Sequence, residues 1–442
     1  MIQTIVQTAC GTLEGVREEG CIVFKGVPYA KAPVGDLRWR APVPIEPWEG
    51  IRKADAFGNR CAQIERVDDT SLYKKEFYED EVYATPISED GLYLNLWVPE
   101  GSFDELLPVA FYIHGGAFMG GTGHEVEFRT GAYGKKGVIL VTINYRLGLL
   151  GFLAHPWLAD EDPVACGNYG ILDQIAALKW VQENIRAFGG DPLNVTIFGQ
   201  SAGCISVHTL LSSDYAKGLF CGAIMQSGAG YPNIMEPEVT LERAFPYGAL
   251  VASEAGADSL GALRQVPAEK LYEIQGKITM ETMMSGKGLI FMPVQNGAFR
   301  KASLDAILEQ GENIQVPVMI GTTRRDIRVS DEEYTAGYSR LQKHCVGWAA
   351  EREKHSGKPT YVYHFTHPLP GDDAGAFHSS ELWYMFGTLG SCWRPMTKED
   401  YDLSEQMVGY WTNFMKKGDP NGEGLPKWRP CTSKDCFEMV LN

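Results

Sequence analysis

Four stretches of the chain are apolar enough, and short enough, to be buried strands: "LYLNLWVP" (92–99), "PVAFYIHGG" (108–116), "VILVTINYR" (138–146) and "NVTIFGQSAG" (194–203). Each is rich in β-branched, aromatic and leucine residues. The first two lie close enough in sequence to be expected as paired neighbours. Between the last two runs "NYGILDQIAALKWVQENIRAFGG" (168–190), where Ile171, Leu172, Ile175, Leu178, Trp180 and Val181 recur near helical spacing. Asp173, Gln174 and Glu183 supply its polar faces, and Gly189 and Gly190 end it, as a left-handed cap favours. Strands alternating with helices predict an α/β fold whose parallel sheet is covered by helices on both faces. In such sheets the active site forms at the carboxyl ends of the strands.

The flanks read differently. The first 50 residues are rich in glycine and proline, and pieces such as "CIVFKGVPYA" (21–30) predict a small antiparallel sheet with long turns. Residues 231–290 are polar and helical, as in "EVTLERAFPYGALVASEAG", and predict a cap excursion within one domain spanning 1–442. "VPVMIGTTRRD" (316–326) and "PTYVYHFTHPLPG" (359–371) return to strand character. "DLSEQMVGYWTNFMKKG" (402–418) predicts a closing helix, stopped by Gly418 and Asp419-Pro420. No repeat of fixed period interrupts the pattern.

Composition narrows the function classes. Hydrophobic residues make up 44% of the 442 and charged residues 22%, which suits a soluble globular protein with a sizeable core. Forty Lys and Arg against 56 Asp and Glu leave a net charge of −16, the wrong sign for a nucleic-acid partner and suited to a solubilising acidic surface. The most apolar stretch, 137–155, is interrupted by Asn144 and Arg146 and reads as a strand and turn, with no membrane span. The opening "MIQTIVQTACGTLEG" lacks the basic start and apolar core of an export signal, so a cytoplasmic location is expected. The ten cysteines are scattered and form no C-x-x-C pair, so free thiols and no zinc site are expected. Asn194-Val-Thr is formally a glycosylation sequon set against a buried strand.

Candidate chemistry centres on Ser201 in "TIFGQSAG". A serine hydroxyl is a weak nucleophile until a base takes its proton. A sharp strand-to-helix turn between Gly199 and Gly203 would expose that oxygen above the sheet. "HGGAF" (114–118), just after a strand, offers the N–H groups of Gly115 and Gly116 as oxyanion donors, with Ala202 as a third. In this arrangement the base follows the serine. His208 falls inside the helix after Ser201, and His364 and His367 belong to a strand and its exit. His378 lies in a loop before "ELWYMFG" and is preferred modestly over His367. Phe118, Met119 and Trp383 are candidates for the substrate-pocket wall.

With these motifs in view, the chain resembles the type-B carboxylesterases, the α/β-hydrolase family that includes the cholinesterases. "FKGVPYAKAPVGDLRWRAP", "SEDGLYLNLWVP", "HGGAFMGGTG", the run from Gly167 to Gly203 and "GAIMQSG" follow in the family's order. The resemblance implies Ser201 as nucleophile, Gly115, Gly116 and Ala202 as oxyanion donors, and His378 as base within an "H-x-x-E" segment. It puts Asp326, in "GTTRRD", at the position of the family's acid. Three departures stand out. Asp326 replaces the usual glutamate and must approach His378 more closely. Gln200 stands where the family often has glutamate. Gly91 stands where exported members carry a cysteine, leaving Cys61 without that partner. The chain is also short for the family, with the missing length in the cap. The resemblance implies ester hydrolysis through an acyl-enzyme, needing no metal or organic cofactor. Its partners are expected to be small-molecule esters, with short to medium acyl or aryl groups favoured. A triad-less binding protein of the same fold, and a hydrolase of amide, carbamate, lactone or thioester bonds, are the alternatives. Monomers and small homo-oligomers both fit.

Overall fold

A computed structural model of the chain describes residues 3–64, 71–79, 84–234, 237–337 and 339–442. The strands in the first hundred residues are β1 (Ile5–Gln7), β2 (Thr12–Glu14), β3 (Val16–Glu18), β4 (Cys21–Pro28), β5 (Ile51–Lys53), β6 (Arg60–Cys61), β7 (Ile87–Ser88) and β8 (Tyr93–Pro99). They are followed by β9 (Leu107–Ile113), β10 (Ile139–Ile143), β11 (Gly190–Gln200), β12 (Gly222–Gln226), β13 (Val318–Thr323), β14 (Thr360–Phe365) and β15 (Glu438–Leu441). The helices are α1 (Leu72–Phe77), α2 (Ala132–Lys135), α3 (Gly148–Phe152), α4 (Pro156–Glu161), α5 (Tyr169–Asn184), α6 (Ala202–Leu211) and α7 (Leu241–Ala255). Beyond them come α8 (Leu260–Arg264), α9 (Ala268–Met284), α10 (Leu304–Glu309), α11 (Asp331–Thr335), α12 (Arg340–Glu353), α13 (Glu381–Phe386) and α14 (Lys398–Lys417).

Ten strands form one sheet in the order β15-β14-β13-β12-β11-β9-β10-β8-β4-β3. The strands from β15 to β10 pair in parallel, and β8, β4 and β3 complete the sheet antiparallel. Parallel strands need cover on both faces, and β9 meets that need by alternation. Val109, Phe111 and Ile113 join a core with Ile171 and Leu178 of α5 and Val207 of α6. Ala110 and Tyr112 face the opposite core with Trp383 of α13 and Trp411 of α14. Successive side chains thus pin two helical layers to one strand.

Four expectations change. "CIVFKGVPYA" does not stay in a separate N-terminal sheet: β4 pairs with β8 inside the large one. Its leading residues Cys21, Ile22, Val23 and Phe24 are all buried, so both of its faces need cover. The small sheet that does form is mixed, β1-β2 antiparallel and β2-β5 parallel. Strands β8 and β9 are not neighbours, because β10 returns parallel to β9 and takes the edge between them. Asp173 and Gln174, expected on polar faces of α5, are fully buried. Asp173 receives the Arg146 guanidinium at 2.8 and 2.7 Å and its backbone N–H at 3.0 Å. Gln174 Nε2 donates to Ser206 Oγ at 2.9 Å. The closing helix begins earlier than expected, at Lys398, because Thr397 and Asp400 form a capping box.

Helix α5 passes into a short turn ended by Gly189 at φ 80°, in the left-handed region. Helices α7 and α9 pack together near α3, where Leu149 N donates to Gln275 Oε1 at 2.7 Å. The cysteines are free, and a Cβ added at Gly91 would lie 2.7 Å from Cys61 Sγ. Among the described residues no helix is long and apolar enough to cross a membrane.

Candidate active site

The serine turn joins β11 to α6. Ser201 has φ 57° and ψ −122°, a conformation costly for any residue with a side chain. Its N–H donates to Gln226 O at 2.8 Å, tying the turn to the end of β12. The two glycines of the motif have steric reasons. A Cβ at Gly199 would meet Ile113 O at 2.8 Å, and one at Gly203 would overlap that same carbonyl. The turn is therefore pressed against the last residue of β9.

The loop after β9 is strained as well. Gly116 has φ 94°, Ala117 φ 56° and Phe118 φ 58°. Gly116 O accepts from Met119 N at 3.0 Å and Gly120 N at 3.1 Å. Among the described residues nothing in the protein accepts the N–H of Gly115 or Gly116. The N–H of Ala202, the first residue of α6, is likewise without an intrahelical acceptor. Burial drives the His114 imidazole down to about 4, so it is neutral, and its Nδ1 lies 2.9 Å from Gly115 O. The ring stacks on Tyr145 with centroids 4.5 Å apart. Gln63 clamps the far end of the loop, accepting from Gly121 N and donating to Gly121 O, each at 3.0 Å.

Asp326 and His378 come together at the ends of β13 and the loop before α13. His378 Nδ1 is 2.5 Å from Asp326 Oδ1, and both residues are buried. Thr323 N donates to Asp326 Oδ2 at 2.9 Å and Ile327 N to Oδ1 at 2.8 Å. Burial alone would raise this carboxyl, but the charge and hydrogen bond of His378 outweigh it and hold it below the usual carboxylate range. Gln200 Nε2 lies 3.4 Å from His378 Nδ1 and 3.2 Å from Nε2. Near-equal distances to the two ring nitrogens put the amide over the ring face, out of the plane in which a lone pair accepts.

Of the other histidines after Ser201, His364 on β14 is lowered to about 4 by burial, which keeps its ring neutral, while His367 and His208 are engaged elsewhere. His367 Nε2 is 2.8 Å from Asp400 Oδ1, and His208 accepts from Trp348 Nε1 at 3.2 Å. Of the pocket candidates, Phe118 is buried with its ring edge-on to Phe152 at 5.0 Å, and Met119 is half-buried. Trp383 is wholly buried, its N–H held by Glu76 at 2.9 Å and its ring stacked on Phe77 at 5.5 Å.

Glu381 was missed as a functional candidate, although it stands three residues after His378 on the first turn of α13. Its Oε1 accepts from Gln226 Nε2 at 3.3 Å, while its Oε2 is buried with no partner among the described residues. Burial, then the charge of Asp326, push this carboxyl up to about 7. The "H-x-x-E" spacing was the available signal.

A parallel sheet carrying a strained serine turn between a strand and a helix defines the α/β-hydrolase fold. Comparison with known proteins narrows the class. The chain matches the family model described as the Carboxylesterase family over residues 2–345 and 339–442. It is 34% identical over 485 aligned positions to a para-nitrobenzyl esterase of Bacillus subtilis (strain 168), covering 100% of this chain and 95% of that one. It is 41% identical to a fumonisin B1 esterase of Sphingopyxis macrogoltabida, covering 95% and 83%. Among solved structures, a thermophilic para-nitrobenzyl esterase superposes with a TM-score of 0.86 at 32% identity, covering 100% and 96%. The chain belongs to the carboxylesterase family and is a carboxylic ester hydrolase.

Proposed function

We propose that Ser201, His378 and Asp326 act as one catalytic triad in ester hydrolysis, with the N–H groups of Gly115, Gly116 and Ala202 as oxyanion donors. The observation that carries this reading is the buried 2.5 Å His378–Asp326 pair, whose ring lies against Gln200, the residue before the strained serine. Asp326 holds Nδ1–H, which leaves Nε2 to accept. His378 Nε2 takes the Ser201 proton as Oγ bonds to the ester carbonyl carbon, and the carbonyl π electrons move onto oxygen. The unengaged N–H groups stabilise that oxyanion. Collapse reforms the carbonyl, expels the alkoxide with the proton from His378, and leaves an acyl-serine. Water then repeats the sequence and releases the acid.

Phe118 and Met119, beside the donor loop, serve as pocket wall, with short to medium acyl or aryl esters favoured. The 231–290 excursion acts as the cap over the single domain. Free cysteines, with Cys61 against a glycine, support a cytoplasmic location. The test is p-nitrophenol release from acetate, butyrate and octanoate esters, with Ser201→Ala alongside. The reading requires turnover that disappears in the variant. Turnover that survives Ser201→Ala rejects it.

A further inference from the structure

Helix α1 has six residues, too few to hold a helix by its own hydrogen bonds. It is held instead by one buried carboxylate. Glu76 has no exposed side-chain surface. It accepts from Trp383 Nε1 and Trp393 Nε1 at 2.9 Å each, and from Arg394 Nε at 3.0 Å to both oxygens. Arg394 is itself braced by Asp372 at 2.8 and 3.1 Å. Phe77 stacks on Trp383, and Lys75 Nζ lies 3.2 Å from the centre of the Trp393 ring. A buried carboxylate with this many donors fixes orientation, since desolvating it is compensated only in one geometry.

What that orientation presents is Tyr73. Residues 73, 76 and 77 share a helix face, so anchoring Glu76 and Phe77 turns Tyr73 the same way. Its ring meets Phe377, the residue before His378, edge-on at 6.4 Å. The phenol is raised by burial first and then by the charges of Asp326 and Glu381. Yet among the described residues its hydroxyl has no hydrogen-bond partner. A donor beside the triad without an acceptor is free for a substrate.

We propose that Tyr73 is a specificity-determining residue, held beside the His378–Asp326 pair by the Glu76 anchor, whose hydroxyl donates to an acceptor oxygen of the substrate beyond the scissile ester. Esters bearing an oxo or ether oxygen are then favoured over hydrocarbon esters of the same shape. This rests on the triad reading above. A phenol left unpaired by the hydrocarbon member is what discriminates.

Two matched pairs test it: p-nitrophenyl levulinate against p-nitrophenyl valerate for the acyl side, and 2-methoxyethyl butyrate against butyl butyrate for the alcohol side. The enzyme should prefer the oxygenated member of at least one pair by about fivefold in kcat/KM, the effect of one neutral hydrogen bond. Tyr73→Phe should collapse that ratio towards one, through KM more than kcat. Glu76→Gln should weaken the same preference, and Tyr73→Phe alone decides should Glu76→Gln not fold. An enzyme without preference in either pair, or a Tyr73→Phe variant that keeps it, overturns the proposal. Failure of the triad reading is distinguishable, because it would leave turnover intact in Ser201→Ala.

Discussion

Arg325 and Phe377 pair as a single parallel β-bridge, each one residue before a member of the buried acid–base pair. Arg325 N donates to Ala376 O at 2.8 Å. The isolated bridge joins the segment just after β13 to the loop before α13 and brings the backbone of Asp326 towards that of His378. This is how an aspartate, one methylene shorter than the glutamate usual in the family, reaches the imidazole.

The bridge makes the acid specific. Asp326→Asn should lower kcat on the order of 10⁴-fold, because the amide no longer favours the tautomer with Nδ1–H. Steady-state kinetics on p-nitrophenyl butyrate will check this. The carboxylates Asp331, Glu332 and Glu333 belong to α11, where Ser330 is the N-cap and its N–H donates to Glu333 in a capping box, so Glu333→Gln should leave kcat within about twofold. Equal losses in the two variants would move the acid away from Asp326.

Glu381 gives a pH signature. Its folded value is about 7 against an ordinary 4.5, so within that window the folded chain keeps a proton the unfolded chain has released. Its contribution to stability therefore falls as pH rises through the window and levels off above it. Asp326 and His378 are the titratable groups it faces. Glu381→Gln cannot titrate, so its melting temperature minus that of the wild type should climb between about pH 5 and pH 8. A flat difference in a thermal-shift series would mean that Glu381 is ionised throughout.

The pair of Arg146 and Asp173 is buried on both sides, with side-chain exposures of 5% and 0%. Asp173→Asn leaves a buried guanidinium without its counter-charge, which should cost about 3–5 kcal/mol of stability. Urea unfolding monitored by tryptophan fluorescence reads this directly. A loss near zero would mean the cation finds compensation in the Tyr169 ring beside it.

Gly203→Ala should prevent accumulation of folded protein, since its new Cβ overlaps the backbone of Ile113 and no side-chain rotation relieves that. Loss on the order of 4 kcal/mol or more is expected. Soluble expression and circular dichroism provide the check. A variant with wild-type melting would show that β9 can withdraw from the serine turn.

Local signals were legible in the sequence. The strand, serine and helix around Ser201 and the left-handed stop at Gly189 rest on neighbours within a few residues. What failed depended on distant partners. The burial of Asp173 follows from Arg146, 27 residues away. Glu76 is held by residues 307 to 318 positions further on, so a glutamate in "LYKKEF" carried no sign of burial. The neighbour of β8 depended on where β10 returned, and an apolar run such as β4 does not announce which sheet it joins. Asp326 became readable only through the family resemblance, because its reach to His378 comes from the Arg325–Phe377 bridge.

The carbonyl of Ile113 touches the space of both motif glycines and ends the strand from which the donor loop departs. The serine turn and the loop after β9 are consequently coupled through one backbone carbonyl. A chimera between relatives would have to exchange residues 108–121 and 196–204 together, because either segment alone meets a mismatched partner at that carbonyl. Side chains such as Met119 and Tyr73 stand outside that contact and can change without moving the carbonyl of Ile113.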